Sequence, residues 1–258
     1  MIKIGSPLFI LRDECSKDLM KVIERLGEIG YNGIEFLGLF GHNPADIKRK
    51  LDSCGLVAIG DHVPFDEFSA NTGRVIDERK EIGCSYITIA PPQADGMPGG
   101  KDYQSTLDTV KRIGEAVNNA GMKLLYHNHA EEIRKEIAGK TILEHIADDI
   151  DESLLSLELD LGWIGIGGAQ PGYFLKKYKN RCPVAHFKDY ARADNKDGFI
   201  FRPTGYGALD TAVLFEITLG FDKKPEWYIM DHDCAYERDI YDDLTISLEY
   251  FKNLIKIV

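Results

Sequence analysis

The sequence has no uninterrupted apolar run of about 18 residues, so it offers no membrane-spanning helix. Cysteine is scarce and scattered. Five residues, Cys15, Cys54, Cys84, Cys182 and Cys234, are odd in number and include no pair spaced for a zinc knuckle or a redox dithiol, so reduced thiols in a cytoplasm are expected. The first residues lack the basic flank and apolar stretch of a signal peptide. There is no phosphate loop and no dinucleotide fingerprint, which leaves nucleotide binding without support. No Pro/Gly/Ser-rich linker, repeat or low-complexity segment divides the chain. Positive charge is short as well: 31 Lys and Arg against 42 Asp and Glu leave a net charge of −11, which opposes nucleic-acid backbones and anionic membranes as partners.

What is present is the composition of a globular protein. Of 258 residues, 44% are hydrophobic and 28% charged, enough for one sizeable core, and a single domain over residues 1–258 is expected. The acidity is concentrated in residues 144–160 (net −7) and 231–249 (net −6). Most of those carboxylates, such as Asp148 to Glu152 and Asp239 to Glu249, fall in a loop entering a strand or on the last helix and read as solvated surface.

Short β-type runs alternate with helical ones from end to end. Eight strands are predicted, over Ile2 to Gly5, Gly33 to Leu37, Val57 to His62, Tyr86 to Ala90, Lys123 to Asn128, Leu155 to Asp160, Val184 to Lys188 and Trp227 to Asp231. Between the first two, Leu19, Val22, Ile23, Leu26 and Ile29 recur at helical spacing, predicting a helix over Lys17 to Ile29. Gly30, Gly55, Gly83 and Gly121 stand where helix C-caps are wanted. Eight such units in a chain of this length predict a (β/α)8 TIM barrel, an α/β fold, in preference to a doubly wound open sheet.

Barrel chemistry is built at the C-terminal ends of the strands. Polar residues crowd there: Glu35 on the second strand, Asp61 and His62 on the third, Tyr126 to His129 on the fifth, Glu158 and Asp160 on the sixth, His186, Lys188 and Asp189 on the seventh, and Asp231 to Asp233 on the eighth. Five of the seven histidines lie at strand ends; only His42 and His145 do not. A lone His or Asp at a strand end is usually a satisfied core group or a helix cap. Four successive strands delivering such groups favour a shared polar site. Strand side chains alternate, so His127 and His129 share a face, as do His186 with Lys188 and Asp231 with Asp233. Mixed imidazole and carboxylate donors suit Mn, Co, Zn or Fe(II) better than calcium.

The runs Gly30 to Phe36 (GYNGIEF), Tyr126 to His129 (YHNH), Leu159 to Trp163 (LDLGW), His186 to Asp189 (HFKD) and Gly205 to Asp210 (GYGALD) resemble the sugar phosphate isomerase/epimerase family. That family belongs to the xylose isomerase-like barrels, which also include inosose dehydratase and the apurinic endonucleases. The resemblance covers nearly the whole chain. It implies a divalent metal ion (Mn, Co, Zn or Mg) held by one residue from each of the fifth to eighth strands. Asp160, His186 and Asp231 match three of those positions. The fourth departs from the pattern: where many members have Glu-Asn-His, this chain has His127-Asn128-His129, so the ligand is His127 or a carboxylate from the following loop, Glu132 being nearest. A second family histidine is replaced by Trp163.

The chemistry expected is proton abstraction from carbon next to a carbonyl, in an isomerase or epimerase, acting on a small-molecule carbohydrate. His129, Glu132, Asp233 and Lys188 are the acid/base candidates, with ion pairing to Asp189 or Asp160 the bland alternative for Lys188. Glu35, His62 and Trp163 are expected at the substrate, with Phe65 as a further apolar wall and Arg192 and Arg202 as candidate phosphate contacts. The alternatives are an inosose-type dehydratase or lyase on the same scaffold, a sugar-binding barrel without activity, and an apurinic endonuclease, which the charge and the ligand count oppose. Schiff-base chemistry rests on Lys188 alone. Self-association into a homo-oligomer is left open by the sequence.

Overall fold

The computed structural model describes residues 2–89 and 92–257. Among them, eight parallel strands close into a barrel: β1 (Lys3–Pro7), β2 (Gly33–Phe36), β3 (Val57–Val63), β4 (Tyr86–Ile89), β5 (Lys123–His127), β6 (Ser156–Asp160), β7 (Val184–His186) and β8 (Trp227–Ile229). The order round the barrel is β1-β8-β7-β6-β5-β4-β3-β2, with helices outside, which is the predicted (β/α)8 architecture. The predicted end of the fourth strand, Ala90, lies outside the described residues. No described helix is long and apolar enough to cross a membrane.

The helix after β1 runs from Arg12 to Ile29, five residues earlier than its periodicity predicts. Its backbone leaves helical geometry at Asp18 (φ −162°, ψ 85°), so the regular apolar period is legible only from Leu19 onward. Gly30, Gly55, Gly83 and Gly121 all take positive φ at or beside helix ends, as expected. The seventh and eighth strands stop short of their predicted ends. After His186 the chain leaves the barrel, and Asp189–Arg192 pairs antiparallel with Phe199–Arg202 in a hairpin above the strand ends.

The barrel interior is built in two levels. Ile59, Tyr86, Leu125, Val184, Trp227 and Ile229 form an apolar plug near the N-terminal ends. Two residues further along the same strands come Thr88, His127, His186 and Asp231, all buried and polar. Period-two alternation keeps both levels on the inner face. On β3 the alternation shifts: Ile34 pairs with Ala58 but Glu35 pairs with Gly60, leaving Ile59 as an extra residue. Because of this bulge His62, and not Asp61, turns inward. Asp61 instead accepts from Gly38 N at 2.7 Å and from Arg79 Nε at 2.7 Å, tying down the loop after β2.

Candidate active site

Glu158 on β6 is the centre of the polar level. Its Oε1 accepts from His62 Nε2 at 2.7 Å and His127 Nδ1 at 2.9 Å, and lies 3.2 Å from His186 Nε2. Its Oε2 accepts from Thr88 Oγ1 at 2.8 Å. Glu35 Oε2 lies 3.2 Å from His62 Nε2 and 3.0 Å from His186 Nε2. Burial alone would raise the Glu158 carboxyl, but the His62 and His186 charges and the imidazole hydrogen bonds hold it well below the ordinary range. Burial likewise disfavours a charge on His62, yet Glu158 and Glu35 outweigh it and raise that imidazole to about 10. His127 goes the other way, lowered by burial and by its charged neighbours His186 and His62.

Toward the mouth, His186 Nδ1 faces Asp231 Oδ2 at 3.0 Å. Lys188 Nζ stands 3.1 Å from Asp231 Oδ2, 3.4 Å from Asp160 Oδ2, and is hydrogen-bonded to Asp233. Burial opposes the charge on Lys188, but these carboxylates outweigh it and raise its pKa above the ordinary lysine value. A lysine held charged is a poor nucleophile, which weighs against the Schiff-base alternative. Asp160 serves two ends. Its Oδ1 caps the helix Leu161–Ile166 by accepting from Trp163 N at 2.8 Å, while its Oδ2 is buried without a hydrogen-bond partner. Burial, reinforced by Asp231, pushes its carboxyl up to about 7.

The predicted residues are thus partly brought together. His127, His186 and Asp231 line one cavity of about 160 Å³ together with Glu35, His62, His129, Lys188 and Asp233, and Asp160 Oδ2 lies 3.8 Å from His127 Nε2. His129 is half-buried, its ring 5.0 Å from His127 and 5.8 Å from Trp163, and burial and Lys188 lower its pKa to about 4. Trp163 builds an aromatic wall with Phe199 and Phe201 and lies 5.0 Å from Lys188 Nζ. Glu132 is engaged elsewhere, accepting from Tyr126 OH at 2.9 Å and His129 N at 3.2 Å, beside a neighbouring cleft of about 610 Å³. Of the two alternatives on the fifth strand, His127 therefore stands among the convergent donors. Arg192 is exposed on the hairpin, Arg202 pairs with Glu237 at 3.1 Å, and Phe65 packs against the core. His232 points away, 3.7 Å from Asp243.

Lys188 does not pair with Asp189. That carboxylate accepts from four backbone N–H groups, of Tyr190 (2.8 Å), Gly205 (3.1 Å), Gly207 (2.9 Å) and Leu209 (3.1 Å), and so joins the HFKD and GYGALD runs. A Cβ on Gly207 would come within 2.2 Å of Asp189 Oδ1, so only glycine fits there. Sequence reasoning placed Glu158 at a strand end but gave it no role. Its signal was its position two residues before Asp160, on the same face. Phe9, which is 41% exposed and lines the cavity, carried no signal.

The donors present fit a divalent metal ion. Buried Glu35 Oε2, Asp160 Oδ2, His186 Nε2 and Asp231 Oδ1 have no hydrogen-bond partner, and donor atoms of Asp160, His186 and Asp231 lie within 4.8 Å of one another.

The chain shares its (β/α)8 barrel fold with solved structures. Its structure matches a sugar phosphate isomerase/epimerase from Parabacteroides distasonis with a TM-score of 0.80 and 17% identity over 98% of both chains. It also matches the IOLI protein with a bound zinc atom, with a TM-score of 0.70 and 13% identity over 98% of both. No family model matches the sequence. Two curated relatives are inosose dehydratases. That of Geobacillus kaustophilus is 23% identical over 201 residues, 69% of this chain and 64% of the relative. That of Bacillus cereus is 24% identical over 243 residues, 81% of this chain and 80% of the relative.

Proposed function

We propose that this xylose isomerase-like barrel is a metal-assisted carbohydrate enzyme that removes a proton from carbon next to a carbonyl, in an isomerase or epimerase reaction. The observation carrying this reading is one cavity with three features: buried imidazole and carboxylate donors at its floor, neutral His129 on one wall and the Lys188 ammonium beside them. His127 and His186, with carboxylates of the same cluster, would hold the ion. When bound, it would polarise the carbonyl and hydroxyl oxygens of the substrate. His129, held at about 4, is an unprotonated base at neutral pH. Lys188 places a fixed positive charge where negative charge builds on the substrate oxygen. Asp233 and Asp231 hold that ammonium in place. Trp163, Phe199 and Phe201 offer an apolar face to a sugar ring.

A second reading, dehydration of a keto polyol, is favoured by the names of the curated relatives. The first step is the same. The proton leaves the carbon beside the carbonyl, and the hydroxyl on the next carbon departs as water after gaining a proton.

The test is incubation with keto sugars and inososes in D₂O with added Mn²⁺, followed by NMR. Deuterium incorporation beside the carbonyl is expected, with Asp160→Ala abolishing it. Loss of water from the product assigns the dehydratase reading, and no exchange in any substrate overturns both.

A further inference from the structure

The donor cavity adjoins a second, larger cleft at His129. That half-buried ring lines both, the donor cavity of about 160 Å³ and the cleft of about 610 Å³. Small-molecule sites ordinarily span roughly 300–1,000 Å³, so the donor cavity alone is small for one and the cleft is not.

Two separate parts of the chain wall the cleft. One is the segment 93–102 after β4, folded on itself by hydrogen bonds from Gly96 N to Gln93 O (2.8 Å), Gly100 N to Met97 O (2.8 Å) and Asp102 N to Asp95 O (2.9 Å). The other is a short hairpin after β5, in which Glu136 pairs with Thr141 and Ile137 with Lys140. Its turn residues Ala138 and Gly139 both take positive φ, 51° and 79°, as a tight hairpin turn that matches strand twist requires. His145 ties the hairpin to the helix Ile142–Asp149, its Nε2 lying 2.8 Å from the Ile137 carbonyl oxygen. The walls meet where Ile137 lies over Gly99: a Cβ on that glycine would come within 2.8 Å of Ile137 Cδ1.

The cleft differs in chemistry from the donor cavity. Met97, Pro98, Ile137 and Ile142 give it an apolar surface, and Ile137 is 36% exposed. Among the described residues of the lining the one cation is Lys135, against Glu131, Glu132 and Glu136. A phosphate or carboxylate therefore meets no net positive charge there.

We propose that this cleft is a subsite for an uncharged apolar substituent, so that the substrate is a keto sugar carrying an apolar aglycone. The sugar lies over the imidazole and carboxylate donors, and the aglycone lies against Met97, Pro98 and Ile137. This rests on the proton-removal reading above and names the substrate class for it. His129, the base of that reading, stands where the two parts of such a substrate join. Contacts to the aglycone, remote from the reacting carbon, supply binding energy that orients the sugar against the base.

The test measures binding of phenyl and methyl glucosides, both anomers, to the full chain with Mn²⁺ by calorimetry. Neither compound has the ketone, so binding is read without turnover. One phenyl anomer is expected to bind at least about 10-fold tighter than its methyl counterpart, as burial of an aromatic face predicts. In the double variant Ile137→Ser with Met97→Ser, shown to be folded by thermal unfolding, that ratio should fall at least about 3-fold. Equal affinities, no binding of either phenyl anomer, or a ratio that holds in the double variant overturns the subsite. A chain that dimerises through Ile137 and so shuts out the phenyl glucosides overturns it as well. Deuterium exchange into plain keto sugars alongside any of these results leaves the proton-removal reading standing. Phenyl preference with no exchange in any keto sugar overturns that reading and, with it, the assignment of this substrate class.

Discussion

The lower and upper halves of the barrel interior are made by the same strands, yet they do opposite work. Below, Tyr86, Leu125, Val184 and Ile229 belong to an apolar plug around Trp227. One inward step above each stands Thr88, His127, His186 or Asp231. The plug gains stability from apolar burial and shape. The polar level carries Glu35, Glu158, Asp160, Asp231 and Lys188 out of water, an arrangement that costs stability unless each charge has a partner. Four atoms there have no hydrogen-bond partner. A barrel thus separates folding from chemistry along each strand by a distance of two residues.

The largest expected effect breaks the lower half. Trp227→Ala opens a cavity among the plug residues and should cost about 3–5 kcal/mol in denaturant unfolding. Zinc bound per folded molecule should stay the same; a loss of zinc in the folded fraction would show that the two halves are not separable. The next effect sharpens the upper half. An ion that binds only the folded chain, supplied at about 100 times its dissociation constant, stabilises it by about 2.7 kcal/mol, and a chelator reverses this. Calorimetry should return the same increment in wild type and in Trp227→Ala. An increment confined to the wild type would mean that the plug shapes the ion site.

The contrast between the halves was unevenly legible in the sequence. The alternation of apolar strand and amphipathic helix carries the barrel, because parallel strands buried on both faces and helices with one apolar stripe leave distinct periods. Strand-end His, Asp and Glu carry the existence of a site. The inward turn of His62 was not legible, since it depends on a bulge between β2 and β3 that no residue type announces. Nor was the role of Glu158, which is decided by three imidazoles arriving from three other strands. The hairpin Asp189–Arg192 with Phe199–Arg202 was hidden for a related reason. Its first strand continues the β7 pattern, while the turn away from the barrel is held by contacts distant in sequence, among them the N–H groups of Gly205, Gly207 and Leu209 gathered by Asp189.

A smaller perturbation tests how the upper level is held. Thr88 is fully buried and gives its single hydroxyl to Glu158 Oε2. Thr88→Val keeps the shape and leaves that carboxylate oxygen unpaired, at about 2 kcal/mol. Zinc affinity should fall roughly 10-fold, because Glu158 holds the imidazoles of His62, His127 and His186 in place. Chelator competition checks this, and unchanged affinity would mean that the imidazoles alone position Glu158.

The smallest expected effect lies outside both halves. Arg192 is exposed at the end of its hairpin strand and lines none of the cavity that holds His129 and Lys188. Arg192→Ala should change stability by less than about 0.5 kcal/mol, as exposed substitutions do. Its effect on proton exchange then depends on substrate reach. An unphosphorylated keto sugar has no group to reach Arg192 and should exchange at the wild-type rate. A substrate with a terminal phosphate projecting past the mouth would lose a charge partner, raising KM with kcat unchanged. Comparing the two substrates in D₂O therefore reads the length of the natural substrate from a residue that touches neither level of the barrel.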